Sequence, residues 1–468
     1  MFGNSIHFTK KKRSKIMLKK TVSALMALIC FFCFASCGKK SDDKGTNSKN
    51  SSAAGTSGIT QTNVDSELLK TKLATADFGG KDYTFYYWYE TNEIIGRKIA
   101  AFNKAHNANI TVTIGTSFQN DIAKSIAQGT PYDIIANHGM YFPQTIFADL
   151  YEPLEGYIEE ADFFNSDAPQ NGGLSKAVNS AFSWNGKLYA AGSAKSVYSY
   201  VFYYNKKLYS DAGLEDPYKL WKDKKWTWDK VKEMSAQVTD LANNVAFLMA
   251  PDLTPWLNVN GVSPVKGEGK NASENLGDTA VMNAMNSYAG LFFGDNPMSL
   301  TSYAPLESGK SYSSIAVSDA FTVLAKAAKN SAAFDKKAEN LGAVPIPEGL
   351  TPNGMYPTHA AQGYSAAKGA KDPSIAAAYA LFESRTEDSD INSNLQLPAE
   401  IRNYVDNAFA KNGFISIFGY QNSEGTRIEN ILNKIATDIK SGADVASTVS
   451  AQRNTVTRII SDCLARAK

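Results

Sequence analysis

The sequence has few of the residues that form disulfides and metal sites. Of its 468 residues, only four are cysteine and four are histidine. Three of the cysteines fall within the first 37 residues, so Cys463 has no cysteine partner in the rest of the chain. His106, His138 and His359 are far apart in sequence, whereas zinc ligands are closely spaced. We therefore expect no internal disulfide, no metal site and no cofactor.

Long apolar runs are also absent. The run at residues 22–34 has thirteen residues, whereas a membrane-spanning helix needs about 20. Lysines precede it and two small residues, Ala35 and Ser36, follow it, which is typical of a signal peptide. Together with Cys37 this segment resembles a bacterial lipoprotein signal. We expect residues 1–36 to be removed and Cys37 to carry a lipid that holds the protein on the cell membrane, facing the extracellular side or the periplasm.

An excess of basic residues is missing from the remainder of the chain. Without residues 1–36 the sequence has 41 Lys and Arg against 46 Asp and Glu, a net charge of −5. This balance offers no basic face for nucleic acid, which we exclude as a partner. Residues 37–66 are rich in Gly, Ser, Asn, Lys and Asp, a composition that predicts a flexible linker.

From residue 82 the sequence alternates between strand and helix patterns. Residues 82–89, 109–115 and 132–137 have strand composition, and helical spacing of apolar residues covers 93–106 and 120–129. This order predicts a parallel sheet with helices on both faces. A second such block starts at residue 199, and the last ninety residues favour helices. The fold class is therefore α/β, with two lobes and a ligand cleft beyond the carboxyl ends of the strands.

Several residues indicate where helices start and stop. Thr227 is placed to open a helix with Asp229 in its first turn, and Gly129 is placed to end one. Pro373 begins another helix. We assign Trp226, together with Trp228, to the helix start and the core rather than to a ligand site.

No catalytic pattern is complete. Residues 304–311, APLESGKS, nearly match a phosphate-binding loop, but Ala304 stands where the first glycine belongs and no buried strand precedes it. GEGKNA at 267–272 is half of a dinucleotide fingerprint within a polar loop. A pair of carboxylates for glycoside hydrolysis stays an alternative, because pairing in space is invisible in sequence.

Aromatic and polar residues at predicted strand ends suit a sugar. Aromatic rings pack on the C–H faces of sugars, and polar side chains bond the hydroxyl edges. The alternative is that any one of these rings belongs to the core, and that His138 lies in a turn with its imidazole already bonded. The residues follow the first and third strands of the first block: Trp88, Tyr89, Glu90 and Asn92, then Asn137, His138, Met140 and Tyr141.

Several stretches, taken together and in this order, resemble the extracellular solute-binding proteins of ABC importers, in the branch of maltose-binding and multiple-sugar-binding lipoproteins. They are FNKAHNANITV, AKSIAQGTPYDII, LYEPLEGYI, WNGKLYAA, VFYYNKKLYSDAGLEDP, KKWTWDKVKEMS, LGAVPIPEG and AAKGAKDPSIAAAYALF. The chain departs from the family at Tyr132, where proline is usual, and in LESGKSYSSIAV.

The resemblance implies the type II fold of periplasmic binding proteins. Lobe 1 would take residues 67–194 plus about 362–405, and lobe 2 residues 195–361 plus about 406–468. Carried over by position, the ligand contacts would fall at Trp88, Glu90, Asn92, Asn137, His138, Tyr141, Tyr198, Trp256, Asp319, Phe321, Phe418 and Tyr420.

The resemblance also implies a function without chemistry. A monomer would bind a small carbohydrate and deliver it unchanged to the transmembrane subunits of an ABC permease, so we expect no enzymatic activity. The alternatives are an exported glycan-degrading enzyme, a binding protein for a peptide or polyamine, and a surface adhesion lipoprotein.

Overall fold

The structure is a computed structural model that describes most of the chain after residue 58. The described residues are 59–61, 67–87, 93–142, 144–163, 172–267, 269–347, 358–388, 396–412, 420 and 426–466. Several predictions lie outside them: the signal peptide, the linker up to residue 58, lipidation of Cys37, and the ligand contacts Trp88, Glu90, Asn92 and Phe418. Within the described ranges, no helix is both long enough and apolar enough to cross a bilayer.

The strands, in chain order, are β1 Ile59–Gln61, β2 Lys81–Tyr87, β3 Ala108–Ile114, β4 Ile134–His138, β5 Tyr151–Glu152, β6 Ser183–Trp184, β7 Lys187–Leu188, β8 Val197–Asn205, β9 Ala246–Leu248, β10 Val265–Lys266, β11 Ser273–Glu274, β12 Ser311–Val317, β13 Leu341–Val344, β14 Thr358–Ala367 and β15 Thr386–Asp388.

The α-helices are α1 Glu93–His106, α2 Phe118–Ala127, α3 Gln144–Phe147, α4 Lys176–Ala181, α5 Lys206–Asp211, α6 Pro217–Lys222, α7 Trp228–Val238, α8 Leu253–Val259, α9 Thr279–Phe293, α10 Ala320–Ala328, α11 Ser374–Ser384, α12 Ala399–Asn412, α13 Ile428–Lys440 and α14 Val445–Arg466.

One mixed sheet of nine strands organises the molecule. Its order is β3-β2-β4-β14-β8-β12-β9, with β13 also paired to β8 and β5 to β14. β2 lies parallel to both β3 and β4, which confirms the parallel arrangement predicted for the first block. β12 is likewise parallel to β9. The α/β class predicted from the alternation of strands and helices is confirmed.

β8 and β14 are the long strands that join the two ends of this sheet, and both are antiparallel to their neighbours. β14 first pairs with β8, where Ala360 lies opposite Tyr198. It then pairs with β4, where Gln362 lies opposite His138, and finally with β5. The far end of β8 pairs with β12 and β13. The division of the chain into two lobes stays a prediction.

The predicted helix boundaries agree with the structure. The Thr227 hydroxyl accepts a hydrogen bond from the Lys230 amide at the start of α7. Gly129 follows α2 with a φ of 71°, the left-handed conformation that favours glycine. Pro373 directly precedes α11. These local signals depend on one residue each, which explains why sequence alone reveals them.

Aromatic residues fill the core on both sides of the β8 and β14 pair. Tyr379 of α11 packs edge-on against Phe85 of β2, with ring centroids 5.2 Å apart. On the other side, Trp256 of α8 packs edge-on against Trp228 and Phe292, at 5.0 and 5.4 Å. Trp226 and Trp228 are both buried, which confirms their assignment to the core.

Candidate functional site

Three neighbouring strands bring polar and aromatic side chains together where β14 leaves β8 for β4. The rings of His138 on β4 and Tyr198 on β8 lie 5.3 Å apart between centroids. The Tyr198 hydroxyl donates a hydrogen bond of 2.8 Å to Oε1 of Gln362 on β14. Tyr198 is partly exposed, whereas His138 is buried. The sheet thus places His138 and Gln362 in contact with the partly exposed Tyr198.

The surroundings of Tyr198 keep its hydroxyl protonated. Burial is the main cause that raises the pKa of Tyr198 well above its usual value, and the carboxylates of Asp319 and Glu383 raise this pKa further. The Arg402 guanidinium lowers the pKa of Tyr198 by a smaller amount. The phenol is therefore a neutral hydrogen-bond donor at physiological pH.

A second polar layer lies behind this ring. The Tyr364 hydroxyl donates to Oε2 of Glu383 on α11. Oε1 of the same carboxylate pairs with Lys98 Nζ on α1 at 2.9 Å, and both side chains are about one-fifth exposed. Because Gln362 and Tyr364 are two residues apart on β14, they share one face of the strand. This layer ties the strand under the site to helices α1 and α11.

Asp319 and Arg402 add charge beside Tyr198. Asp319 follows β12, and Arg402 projects from α12, with Nη2 of Arg402 3.9 Å from Oδ1 of Asp319. Half of the Asp319 side chain is exposed, yet surrounding protein desolvates it enough to raise the pKa of its carboxyl. We call the partly exposed surface around Tyr198, Asp319 and Arg402 the recess.

Tyr141, another predicted ligand contact, ends the short turn that follows β4. The Tyr141 ring stacks on Phe118 with centroids 4.3 Å apart. Burial raises the pKa of the Tyr141 hydroxyl, and the nearby Arg427 guanidinium opposes this rise. Burial also raises the pKa of Glu429, with a further contribution from Asp252. Arg427, directly before α13, is thus the charged group that acts on both Tyr141 and Glu429.

Five of the predicted ligand contacts are buried in this structure: Asn137, His138, Trp256, Phe321 and Tyr420. The Trp256 indole has no exposed surface and donates to the Ala284 carbonyl at 2.7 Å. Asn137 is fully buried, and its amide donates to Ser365. Phe321 packs beside Tyr203, and Tyr420 belongs to the main core. Of the described contacts, Tyr198 and Asp319 are therefore partly exposed at the recess, and the buried His138 ring packs against Tyr198.

Sequence reasoning missed several members of the site: Lys98, Lys195, Gln362, Tyr364, Glu383, Arg402 and Asp406. Gln362 had a weak signal, because the second segment of lobe 1 was expected to begin at about residue 362. Arg402 and Asp406 are four residues apart and so share one helix face, but charged pairs of this kind are common on solvent-facing helices. Only the packing of α12 distinguishes them.

The described residues contain no group of His, Cys, Asp or Glu that could hold a metal ion. A cavity of about 300 Å³ lies elsewhere, between the end of α13 and the loops around Asn244 and Thr301. None of the residues that line it was predicted as a ligand contact, and it shares none with the recess at Tyr198.

Comparison with solved structures shows the fold. The chain is similar to the extracellular solute-binding protein of Staphylococcus aureus in complex with maltose, with a TM-score of 0.59 and 14% identity, covering 81% of this chain and 98% of the other. The cyclic α-maltosyl-1,6-maltose binding protein of Arthrobacter globiformis has a TM-score of 0.58 and 16% identity, with 81% and 98% covered.

The galacto-N-biose/lacto-N-biose I-binding protein of Bifidobacterium longum, in complex with lacto-N-biose, has a TM-score of 0.56 and 13% identity, with 83% and 99% covered. No curated protein matches the chain. The profile of the bacterial extracellular solute-binding proteins, a family of non-catalytic proteins, matches residues 89–383. The chain belongs to this family, as its sequence motifs had indicated.

Proposed function

We propose that this protein is a lipid-anchored subunit of an ABC importer, which captures a mono- or oligosaccharide outside the cell and delivers it to a membrane permease. The sugar would lie in the recess at Tyr198. Movement of two lobes about β8 and β14 would then enclose it. Such hinge closure is known for periplasmic binding proteins, and ligand favours the closed form by its higher affinity for it.

The observation that carries the carbohydrate assignment is the partly exposed Tyr198 ring, supported from below by His138 and Gln362. An aromatic ring with hydrogen-bonding groups at its edge complements a pyranose, which has an apolar face and a polar rim. The ring lies on strands that join both ends of the sheet. A ligand placed on it can therefore contact residues from both ends.

The charges near this ring favour a neutral solute. Two carboxyl groups, Asp319 and Glu383, act on the Tyr198 hydroxyl, and two cations accompany them: Arg402 beside Asp319 and Lys98 paired with Glu383. The cations would repel a polyamine, and the carboxylates would repel an acidic ligand. Complexes with maltose and lacto-N-biose among structural neighbours agree with a neutral saccharide.

A thermal-shift panel tests the proposal on the protein without residues 1–37. Maltose, maltotetraose, lacto-N-biose, D-tagatose and D-mannitol are compared with a dipeptide mixture and spermidine. A saccharide at 100 times its dissociation constant should stabilise the folded state by about 2.7 kcal/mol. Replacement of Tyr198 by alanine should abolish this shift, while Tyr157→Ala, which changes an exposed tyrosine outside the recess, should retain it.

The other arms of the panel decide between the alternatives. A shift with spermidine or peptides and none with saccharides would reject the carbohydrate assignment. Chromatography of the sugar after incubation should recover it unchanged, since turnover would indicate a glycan-degrading enzyme.

Lipidation is tested separately, because Cys37→Ser should release the full-length protein from the membrane fraction.

A further inference from the structure

Helix α12 delivers a guanidinium to the recess in a fixed orientation. Ile401 and Val405 of this helix are fully buried in a cluster with Tyr203 and Phe321. Their burial sets the rotation of α12 about its axis. Arg402 and Asp406 each follow one of these anchors by one position, so they lie one turn apart on an adjacent face. That face lies beside Asp319.

Asp319 and Arg402 are close but not hydrogen-bonded. Their nearest oxygen and nitrogen are 3.9 Å apart, whereas a charged N–H···O hydrogen bond measures about 2.7–2.9 Å. Half of the Asp319 side chain and one-third of the Arg402 side chain are exposed. Each group therefore keeps hydrogen-bonding capacity for a ligand, with one acting as acceptor and the other as donor.

A pair of adjacent hydroxyl groups on a sugar ring complements this arrangement. One hydroxyl can donate to the Asp319 carboxylate while its neighbour accepts from the Arg402 guanidinium. The Ser318 amide donates to the Ser199 carbonyl at 2.7 Å, and Val317 of β12 pairs with Tyr200 of β8, so this register brings Asp319 next to Tyr198. A pyranose packed on the Tyr198 ring would present its hydroxyl edge to Asp319 and Arg402.

Asp406 lies one helical turn after Arg402 on α12. Its side chain is nearly buried, and burial raises the pKa of its carboxyl to about 7. The charged and titratable groups that act on it are Arg402 on the same helix, Asp319 after β12, and Lys195 in the 3-10 turn before β8. His138 and Tyr198 lie on the strands beyond.

We propose that Asp319 and Arg402 hold two neighbouring hydroxyl groups of the bound saccharide between them, and that Asp406 is a positioning residue that orients Arg402. This diol clamp rests on the proposed function, because it assumes a saccharide at Tyr198. It defines the ligand further as a sugar with an unsubstituted vicinal diol on the ring that packs against Tyr198.

Titration calorimetry with maltose, lacto-N-biose and D-tagatose tests the clamp. Hydrogen bonds to charged groups contribute about 1.5–3 kcal/mol, so Asp319→Asn and Arg402→Gln should each weaken binding by about 10- to 150-fold. Arg402→Lys, which keeps the charge but loses the planar fork, should fall between. The double variant should lose less than the product of the single effects, because both residues hold the same diol.

A matched control is Arg453→Gln, which removes an arginine that pairs with Glu274 away from the recess and should leave affinity unchanged. Wild-type affinity retained in Asp319→Asn and Arg402→Gln, with loss in Tyr198→Ala, would overturn the clamp and leave the proposed function standing. Absence of binding by the wild-type protein to all three sugars would instead overturn the carbohydrate assignment, and the clamp with it.

The role of Asp406 is tested by the pH dependence of binding in wild-type protein and Asp406→Asn. Ionisation of Asp406 near pH 7 should orient Arg402, so the wild-type protein should bind sugar more tightly at pH 8 than at pH 6. In the Asp406→Asn variant, sugar affinity should not rise between pH 6 and pH 8. If sugar affinity still rises between pH 6 and pH 8 in this variant, which retains His138, the pH dependence does not come from Asp406 and its role is overturned.

A measurement without ligand checks the same group. The folded state holds the Asp406 proton more tightly than the unfolded chain, whose aspartate pKa is about 3.9. Unfolding therefore releases a proton, and this contribution to stability falls as pH rises from about 4 to about 7. The melting temperature of the wild-type protein should drop more over that interval than that of Asp406→Asn. Equal drops would show that Asp406 ionises normally.

Discussion

The aromatic residues around Trp256 and the Tyr198 ring have different surroundings in this protein. Trp256, Trp228, Phe292 and Tyr288 enclose one another on one side of the sheet, and the Trp256 indole and the Tyr288 hydroxyl each donate to a backbone carbonyl. Tyr198 is partly exposed and bonds a side-chain amide. The enclosed group stabilises the fold, whereas the open Tyr198 ring keeps a surface that a ligand can cover.

The difference lies in what completes each ring's contacts. Around Trp256, helices α7, α8 and α9 provide a neighbour on every side. At Tyr198, His138 and Gln362 of the neighbouring strands provide the contacts, and the sheet register brings the partly exposed Asp319 next to it. Aromatic content alone therefore does not identify a binding site. A binding site differs from the core in two ways: protein atoms cover the ring only in part, and nearby polar groups can still form hydrogen bonds.

The largest effect should come from the enclosed group. Trp256→Ala would leave a cavity among Trp228, Tyr288 and Phe292, and large-to-small changes of this kind cost about 3–5 kcal/mol. Urea denaturation should show this loss of unfolding free energy. Trp221→Ala is the matched control, because that indole is partly exposed and should cost much less. Equal losses would remove the distinction between enclosed and open aromatic residues.

An intermediate effect should come from the polar layer behind Tyr198. Glu383→Gln removes the carboxylate that pairs with Lys98 and accepts from Tyr364. Hydrogen bonds to charged groups suggest a loss of about 1.5–3 kcal/mol. Asp438→Asn, which breaks the exposed pair with Lys434, should cost at most about 0.5 kcal/mol. A small loss for Glu383→Gln would mean that this layer does not stabilise the strand beneath the site.

The smallest effects should come from removing a single tyrosine hydroxyl, at Tyr288 or at Tyr198. Tyr288→Phe leaves the buried Pro251 carbonyl without its donor and should cost about 1–3 kcal/mol. At Tyr198 water can replace the lost donor to Gln362, so Tyr198→Phe should cost about 0.5–1.5 kcal/mol. Chemical denaturation of both variants measures the difference. The reverse order would place Tyr198 in the core.

Sequence alone predicted the elements whose signals are local. Thr227 and Gly129 determine a helix start and a helix end through their own side-chain or backbone preferences. The parallel order of β2, β3 and β4 followed from alternating patterns. The antiparallel pairing of β8 with β14 was not visible, because it joins segments more than 150 residues apart.

The site was predictable only in part for the same reason. His138 and Tyr198 were identified from strand ends and family position, and they do contact each other. Trp256 was likewise predicted from family position, but it lies in the core, since burial depends on the surrounding helices. Arg402 carries no local signal, and its place beside Asp319 depends on how Ile401 and Val405 anchor α12.

The burial of Cys463 has a practical consequence for measuring motion. Its thiol has no exposed surface near the end of α14, so maleimide dyes should not reach it in the native protein. A chain that begins after Cys37 has no other cysteine. Two cysteines introduced at exposed positions, one on each side of the β8 and β14 pair, would therefore be labelled selectively. Energy transfer between the dyes would then report whether sugar draws the two sides together.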